Sequence, residues 1–139
     1  MTRIEVTKDM ATCRQLRRVV FIEEQGVSED DEVDDQDDVA IHLLAFAGER
    51  PVGTARMLIK RETGKIGRVC VLSEARGTGL GAKLILACLE ELQRQPGLRE
   101  AYLGSQSHAT GFYEKLGFAV EGEEFLDAGI PHRHMRRPL

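Results

Sequence analysis

Apolar residues recur along the chain with two different periods, and these periods predict which segments form helices and which form strands. Over residues 9–21 the apolar positions are three or four apart, which predicts an amphipathic helix. The same spacing over 79–94 predicts a second helix, which Pro96 and Gly97 bring to an end. A shorter helix is predicted over 108–116, before another glycine.

The segments between the helices are short, rich in β-forming residues and separated by turn sequences. The predicted strands cover residues 4–6, 41–47, 52–59, 65–72, 100–104, 118–120 and about 132–136. Tight turns join the second, third and fourth of these strands, so we expect an antiparallel meander there. The order β-α-β-β-β-α-β-α-β-β predicts an α+β fold in which helices flank a mixed, mostly antiparallel sheet. A length of 139 residues suits one domain over 1–139.

Composition and charge narrow the class of protein. The formal net charge is −4, which argues against general nucleic-acid binding because that function needs a basic surface. No apolar run approaches the roughly 20 residues that cross a bilayer, and the N-terminus has no signal-peptide core, so we expect a cytoplasmic protein without a membrane partner. Cys13, Cys70 and Cys88 show no metal-ligand spacing. They predict buried free thiols and no metal site.

Two charged segments allow more than one interpretation. Residues 28–38 are nearly all acidic and predict a solvated loop, although they could also attract a cationic amine. A calcium site is disfavoured because the EF-hand spacing is missing. The basic segment 132–137 predicts an exposed edge strand, or alternatively a contact for an anionic group.

A glycine-rich loop between a predicted strand and a predicted helix is the main candidate for a binding site. It comprises Arg76, Gly77, Thr78, Gly79, Leu80 and Gly81. A helix N-terminus offers unpaired backbone N–H groups and the positive end of the helix dipole. Glycines let a ligand approach that backbone closely, and an arginine adds a charged donor. The loop therefore predicts a phosphate or pyrophosphate site.

Other phosphate-binding loops fit this segment less well. A Walker A loop is excluded because Lys83 follows Ala82 rather than glycine. Gly77-x-Gly79-x-x-Ala82 matches the relaxed dinucleotide fingerprint, but three hairpin-linked strands precede it in place of parallel βαβ units. The remaining alternative is a structural turn that binds nothing.

Several motifs resemble one known family. Arg76-x-x-Gly79-x-Gly81, after Val69-x-Val71, resembles the pyrophosphate motif of the GNAT superfamily of N-acetyltransferases. The FYEKLGF sequence of residues 112–118 is similar to a second motif of that superfamily. Other segments resemble its ElaA-like branch, namely 20–27, 32–37, 40–42, 66–69 and 129–132. The resemblance implies a GNAT-like fold over nearly the whole chain.

The resemblance also implies a co-substrate and roles for particular residues. Backbone amides of residues 76–81 would hold the pyrophosphate of acetyl-CoA. The backbone of Val69, Cys70 and Val71 would pair with the pantetheine arm, which enters between two splayed strands in the relatives. Tyr113 would protonate the departing CoA thiolate after direct attack by a primary amine in a ternary complex. A homodimer is a further expectation.

The general base has three candidates by residue type, Glu24, His42 and His132. Each also has a structural interpretation, as a histidine satisfied within a strand or as a surface carboxylate. Phe112 is expected in the core. Cys70 has no evident histidine partner, so we reject covalent catalysis. The alternatives to this enzyme are a CoA-binding module without turnover and a transferase of longer acyl groups.

Overall fold

One seven-stranded sheet runs through the protein, as a computed structural model of residues 1–139 shows. Its spatial order is β1-β2-β3-β4-β5-β7-β6. The strands are β1 (Thr2–Thr7), β2 (Ile41–Ala47), β3 (Arg50–Lys60), β4 (Thr63–Val71), β5 (Glu100–Gln106), β6 (Ala119–Asp127) and β7 (Ile130–Pro138). All neighbours are antiparallel except β4 and β5, which are parallel. The predicted α+β fold with a mixed, mostly antiparallel sheet is confirmed.

Four helices accompany the sheet. They are α1 (Met10–Arg17), α2 (Glu29–Glu32), α3 (Leu80–Arg94) and α4 (Thr110–Glu114). Helix α1 packs against a small core that includes Leu44 and Cys70, whereas α3 packs against the main core that includes Leu43 and Ala45. Because successive strand residues point to opposite faces, α1 and α3 cover opposite faces of the sheet. None of the helices is long and apolar enough to span a membrane.

Several element bounds differ from the sequence-based predictions. The first helix changes at Arg18 into a π-helical turn that continues to Glu24. Strands β6 and β7 are each nine residues long and form a hairpin around Ala128 and Gly129, which both have positive φ. The prediction that the basic segment is an edge strand was wrong, because β7 lies between β5 and β6 and bonds to both.

The prediction of a solvated acidic loop was also wrong for its central residues. Glu32 and Asp37 are only 4% and 5% exposed. Arg17 lies 2.8 Å from a Glu32 carboxylate oxygen and 2.6 Å from one of Asp37. Arg56 on β3 pairs with Asp34 at 2.7 Å and with Asp37 at 3.2 Å. The Arg17 guanidinium holds the pKa of Asp37 well below its usual range. Buried ion pairs therefore attach the acidic segment to α1 and the sheet.

All three cysteines are buried and free, as predicted. Cys13 and Cys70 lie in the small core beside α1, and Cys88 lies in the main core. Burial raises the pKa of the Cys70 thiol to about 12 and that of Cys88 to about 12. Both residues therefore remain protonated thiols near neutral pH and act as small apolar core residues.

Candidate active site

A cleft opens where β4 and β5 diverge. The two strands pair only from Thr63 and Glu100 to Ile66 and Leu103. Beyond this point their backbones separate, and a cleft of about 280 Å³ lies between β4, β5 and the segments around them. Gly67 and Val69 line it from β4, and Gly104 and Gln106 line it from β5. The splayed strands that the resemblance implied are therefore present.

A β-bulge on β4 accompanies this divergence. Thr54 pairs with Cys70 and Arg56 pairs with Gly67, so β4 has one more residue than β3 between these pairs. Within the bulge Arg68 has a φ of 51°, which is uncommon for a residue with a side chain. Bulges bend a strand and change the direction in which its residues point. Arg68 was not among the residues predicted for the site, although a glycine within a strand, here Gly67, is a signal of irregular backbone.

The side chain of Arg68 connects the bulge to the acidic segment. Its Nη2 donates to the backbone oxygen of Glu32 at 3.1 Å and lies 3.3 Å from a carboxylate oxygen of Asp34. Because Asp34 and Glu32 are themselves bound to Arg56 and Arg17, the bulge is connected to the buried ion pairs. The acidic segment therefore supports the backbone on which the cleft is built.

The glycine loop has the open geometry that an anion site requires. Gly77 and Gly79 have φ values of 77° and 81°, which favour glycine. A Cβ built on either residue would meet no atom within 4 Å. Helix α3 begins directly after Gly79, and no side chain caps its first turn. Its first backbone N–H groups therefore have no side-chain partner and are available to an anion.

The other loop residues occupy distinct positions. Leu80 is buried in the main core and anchors the start of α3, whereas the hydroxyl of Thr78 donates to the backbone oxygen of Ala75 at 2.7 Å. Gly81 lies beside Phe112, whose ring would be 3.7 Å from an added Cβ. Phe112 is 40% exposed, so the prediction that it belongs to the core was wrong.

Arg76 forms a bidentate ion pair with Glu24 at the edge of the glycine loop. The two N···O distances are 2.7 and 2.9 Å, and the Arg76 Nε donates to the backbone oxygen of Val71 at 3.0 Å. The hydrogen bonds from Arg76 lower the pKa of Glu24. The carboxylate of Glu24 is thus ionised and already paired, which makes it a poor proton acceptor in this conformation.

Tyr113 lines the cleft directly beside the splayed strands. Its ring makes edge contacts with Phe112 and Phe118, at centroid distances of 4.9 and 6.1 Å. Burial raises the pKa of its hydroxyl, because an apolar environment disfavours the phenolate. The hydroxyl therefore stays protonated near neutral pH and is suited to donate a proton.

The two histidines among the base candidates lie in different environments. His132 lines the cleft, and its Nδ1 lies 2.7 Å from the backbone oxygen of Ile130. Since a carbonyl only accepts hydrogen bonds, this Nδ1 carries the proton, and the neutral ring has its lone pair on Nε2. His42 is 4% exposed, donates from Nε2 to the backbone oxygen of Asp37 at 2.9 Å and does not line the cleft.

The three residues predicted to pair with pantetheine follow the bulge. Val69 lines the cleft, and Val71 packs against the main core. The side chain of Cys70 faces α1, so only its backbone is available to a ligand in the cleft. No group of three or more His, Cys, Asp or Glu side chains is placed to hold a metal ion.

Two walls of the cleft are formed by segments that were not predicted to line the site. One wall comes from the π-helical turn and the acidic segment, including Phe21 and Asp31. The other comes from the β6–β7 hairpin, where Phe125 stacks on His134 at a centroid distance of 4.0 Å and Asp127 lies nearby. Alternating histidines at 132 and 134 were the available signal, since they place two imidazoles on one face of a strand.

Comparison with known proteins identifies relatives of this chain. A family model described as an acetyltransferase (GNAT) domain matches residues 20–139. The chain is 41% identical to the protein YyaT of Bacillus subtilis, over 99% of this chain and 94% of YyaT. The crystal structure of Escherichia coli ElaA superposes with a TM-score of 0.87 and 29% identity, covering 99% of both chains. A Bacillus subtilis acetyltransferase in complex with CoA shares the fold at 20% identity and a TM-score of 0.77, covering 100% of this chain and 99% of that one.

Proposed function

Because the chain belongs to the GNAT acetyltransferase family, we propose that it transfers an acetyl group from acetyl-CoA to a primary amine. The observation that carries the proposal is the combination of Tyr113 and His132 in one cleft between splayed strands. The neighbouring ring of Phe112 lies beside Gly81, which connects this cleft to the glycine loop. A structural neighbour bound to CoA supports a CoA-type co-substrate for this fold.

The glycine loop and β4 are the proposed binding elements for acetyl-CoA. The backbone N–H groups at the start of α3 would bind the pyrophosphate, because they have no side-chain cap and the loop above them is open. The backbone of residues 69–71 would bind the pantetheine arm in the gap that β5 leaves. This arrangement would direct the thioester toward Tyr113.

In the proposed reaction, His132 removes a proton from the amine, and Tyr113 donates a proton to the sulfur of CoA. The Nε2 lone pair of His132 accepts a proton from the substrate ammonium, which leaves a neutral amine. The amine nitrogen attacks the thioester carbonyl carbon, and the C–S bond of the tetrahedral intermediate then breaks. Tyr113 donates its proton to the departing sulfur, and the resulting phenolate takes the second proton from the nitrogen. The products are CoA and the acetylated amine, and His132 then releases its proton to solvent. Cys70 takes no part, since its thiol is buried and protonated.

The test measures release of free CoA from acetyl-CoA with a panel of primary amines. We expect Tyr113→Phe and His132→Gln each to lower kcat by about 100-fold, a typical effect of removing an acid or base. Their Kd for acetyl-CoA should be unchanged, because neither side chain belongs to the glycine loop. His108→Gln is the matched control, since His108 is exposed and does not line the cleft.

The same measurements separate the alternatives. Wild-type kcat in both variants would remove these residues from the mechanism. Binding of acetyl-CoA without turnover on any amine would favour a CoA-binding module. Faster turnover with a longer acyl-CoA than with acetyl-CoA would instead identify a transferase of longer acyl groups.

A further inference from the structure

A second groove continues from the cleft along the same face of the sheet. It has a volume of about 660 Å³, and its apolar residues include Val39, Leu58, Ile59 and Tyr102. Lys65 lines both the cleft and this groove. Its neighbour Ile66 points into the main core beneath α3, so Lys65 points to the opposite face. The cleft and the groove therefore form one continuous surface.

The strand register gives the length of this surface. Lys65 is opposite Tyr102, and Tyr102 is opposite Arg136, whose guanidinium lies 4.7 Å from the Tyr102 ring centroid. His134 lies two residues from Arg136 along β7, and His132 lies four residues from Arg136. Four residues of β-strand therefore separate His132 from the row that contains Lys65, which is about 13 Å.

One end of this surface carries basic residues without salt-bridge partners, and the other end carries acidic residues without such partners. Lys60, Arg61 and Lys65 line the groove or its edge, and none lies within 4.0 Å of a carboxylate. At the other end, Asp31 and Asp127 line the cleft, and neither forms a salt bridge. Arg136 differs from the lysines, because it pairs with Glu100 and Glu121. Three unpaired cations around an apolar groove are notable in a chain with a net charge of −4.

We propose that the acceptor is an extended amine whose far end carries an anionic group, and that Lys65 binds that group. This inference rests on the proposed acetyl transfer, because it specifies the acceptor. The ammonium would lie near His132, between the carboxylates of Asp31 and Asp127. The chain of the acceptor would then cross Gly67, where no side chain obstructs the surface.

A single amino acid is too short to lie near His132 at one end and to contact Lys65 at the other end. One residue spans at most about 3.5 Å, whereas three residues in extended form span about 10 Å. The side chains of His132 and Lys65 can close the rest of the distance. A tripeptide with a free C-terminal carboxylate is therefore a suitable probe for the surface.

The experiment compares acetylation of triglycine with that of triglycine carboxamide. We expect kcat/KM for the free acid to exceed that for the amide by about tenfold, since a hydrogen-bonded contact between two charges is lost with the amide. Lys65→Met should remove this preference by raising KM for the free acid alone. Lys8→Met is the matched control, because Lys8 lines neither the cleft nor the groove.

The outcomes distinguish this inference from the proposed function. Equal kcat/KM for the acid and the amide in the wild type would overturn the inference while acetyl transfer stands. Equal loss for both peptides in Lys65→Met, or acetylation of simple amines but of neither peptide, would also overturn it. If none of the amines or peptides stimulates release of CoA from acetyl-CoA, the proposed function fails and the inference fails with it.

Discussion

Replacing Gly79 with glutamate tests the assignment of the glycine loop most directly. Gly79 precedes the first turn of α3 and has a φ of 81°. An added Cβ there meets no protein atom within 4 Å, so we expect the glutamate side chain to project into the open space that the proposed pyrophosphate would occupy. The new carboxylate would place negative charge beside the phosphates. We therefore expect loss of CoA binding with retention of the fold.

The expected magnitude comes from two separate effects. A residue with a side chain in the left-handed region costs about 1–2 kcal/mol of stability. Two like charges about 4 Å apart repel by about 4 kcal/mol near a protein surface. A loss of only 2.7 kcal/mol already weakens binding by about 100-fold, so we expect the Kd for CoA to rise by at least that factor.

Gly97 provides a matched control within the same chain. Its φ is 82°, and an added Cβ there also meets no atom within 4 Å, but it follows the C-terminal end of α3. Gly97→Glu should therefore lose similar stability and keep wild-type affinity. Calorimetric titration with CoA measures affinity, and urea unfolding measures stability. Unchanged CoA affinity in Gly79→Glu, or equal weakening in both variants, would refute the loop as the phosphate site.

Two further substitutions test the ion pairs around the site. Asp37→Asn should lower the free energy of unfolding by about 3–5 kcal/mol at pH 7, because buried Arg17 then keeps only Glu32 as a charged partner. The pKa of Asp37 is depressed in the folded state, so this contribution is present above about pH 4 and is lost as the pH falls. Urea unfolding at neutral and acidic pH should show a smaller difference between variant and wild type in acid, and a constant difference would contradict the assignment. Glu24→Gln should tighten CoA binding by about threefold, since Arg76 no longer has to leave an exposed ion pair. Glu23→Gln is its control, and weaker CoA binding in Glu24→Gln would mean that Glu24 positions Arg76 for the ligand.

The sequence predicted the elements whose signals are local. Strand β2 was predicted over the residues that form it, and α3 begins within one residue of its predicted start. Glycine and proline mark the ends of these elements, and apolar residues mark their buried faces. Strands β6 and β7 were predicted too short, because one face of each lies on the open side of the sheet and carries polar residues.

The role of the acidic segment could not be read from its composition. A run of carboxylates is usually solvated, and nothing in its local pattern distinguishes buried members from exposed ones. Asp37 is buried because Arg17, twenty residues earlier, faces it from α1. The apolar spacing that predicted α1 carries no information about the partners of its arginines. Only the three-dimensional arrangement shows that the two charged surfaces meet.

The candidate site combines both kinds of feature, which explains why its loop could be recognised from local residues, whereas the cleft was expected only from the resemblance and two of its walls were not predicted. The glycine loop depends on neighbouring residues, so its motif could be recognised in the sequence. The cleft depends on the bulge at Arg68, whose side chain is held by the acidic segment more than thirty residues earlier. That bulge bends β4 at the point where its pairing with β5 ends. The buried ion pairs therefore influence the site indirectly. They hold the backbone of β4 in place where it separates from β5, and this separation makes room for a ligand.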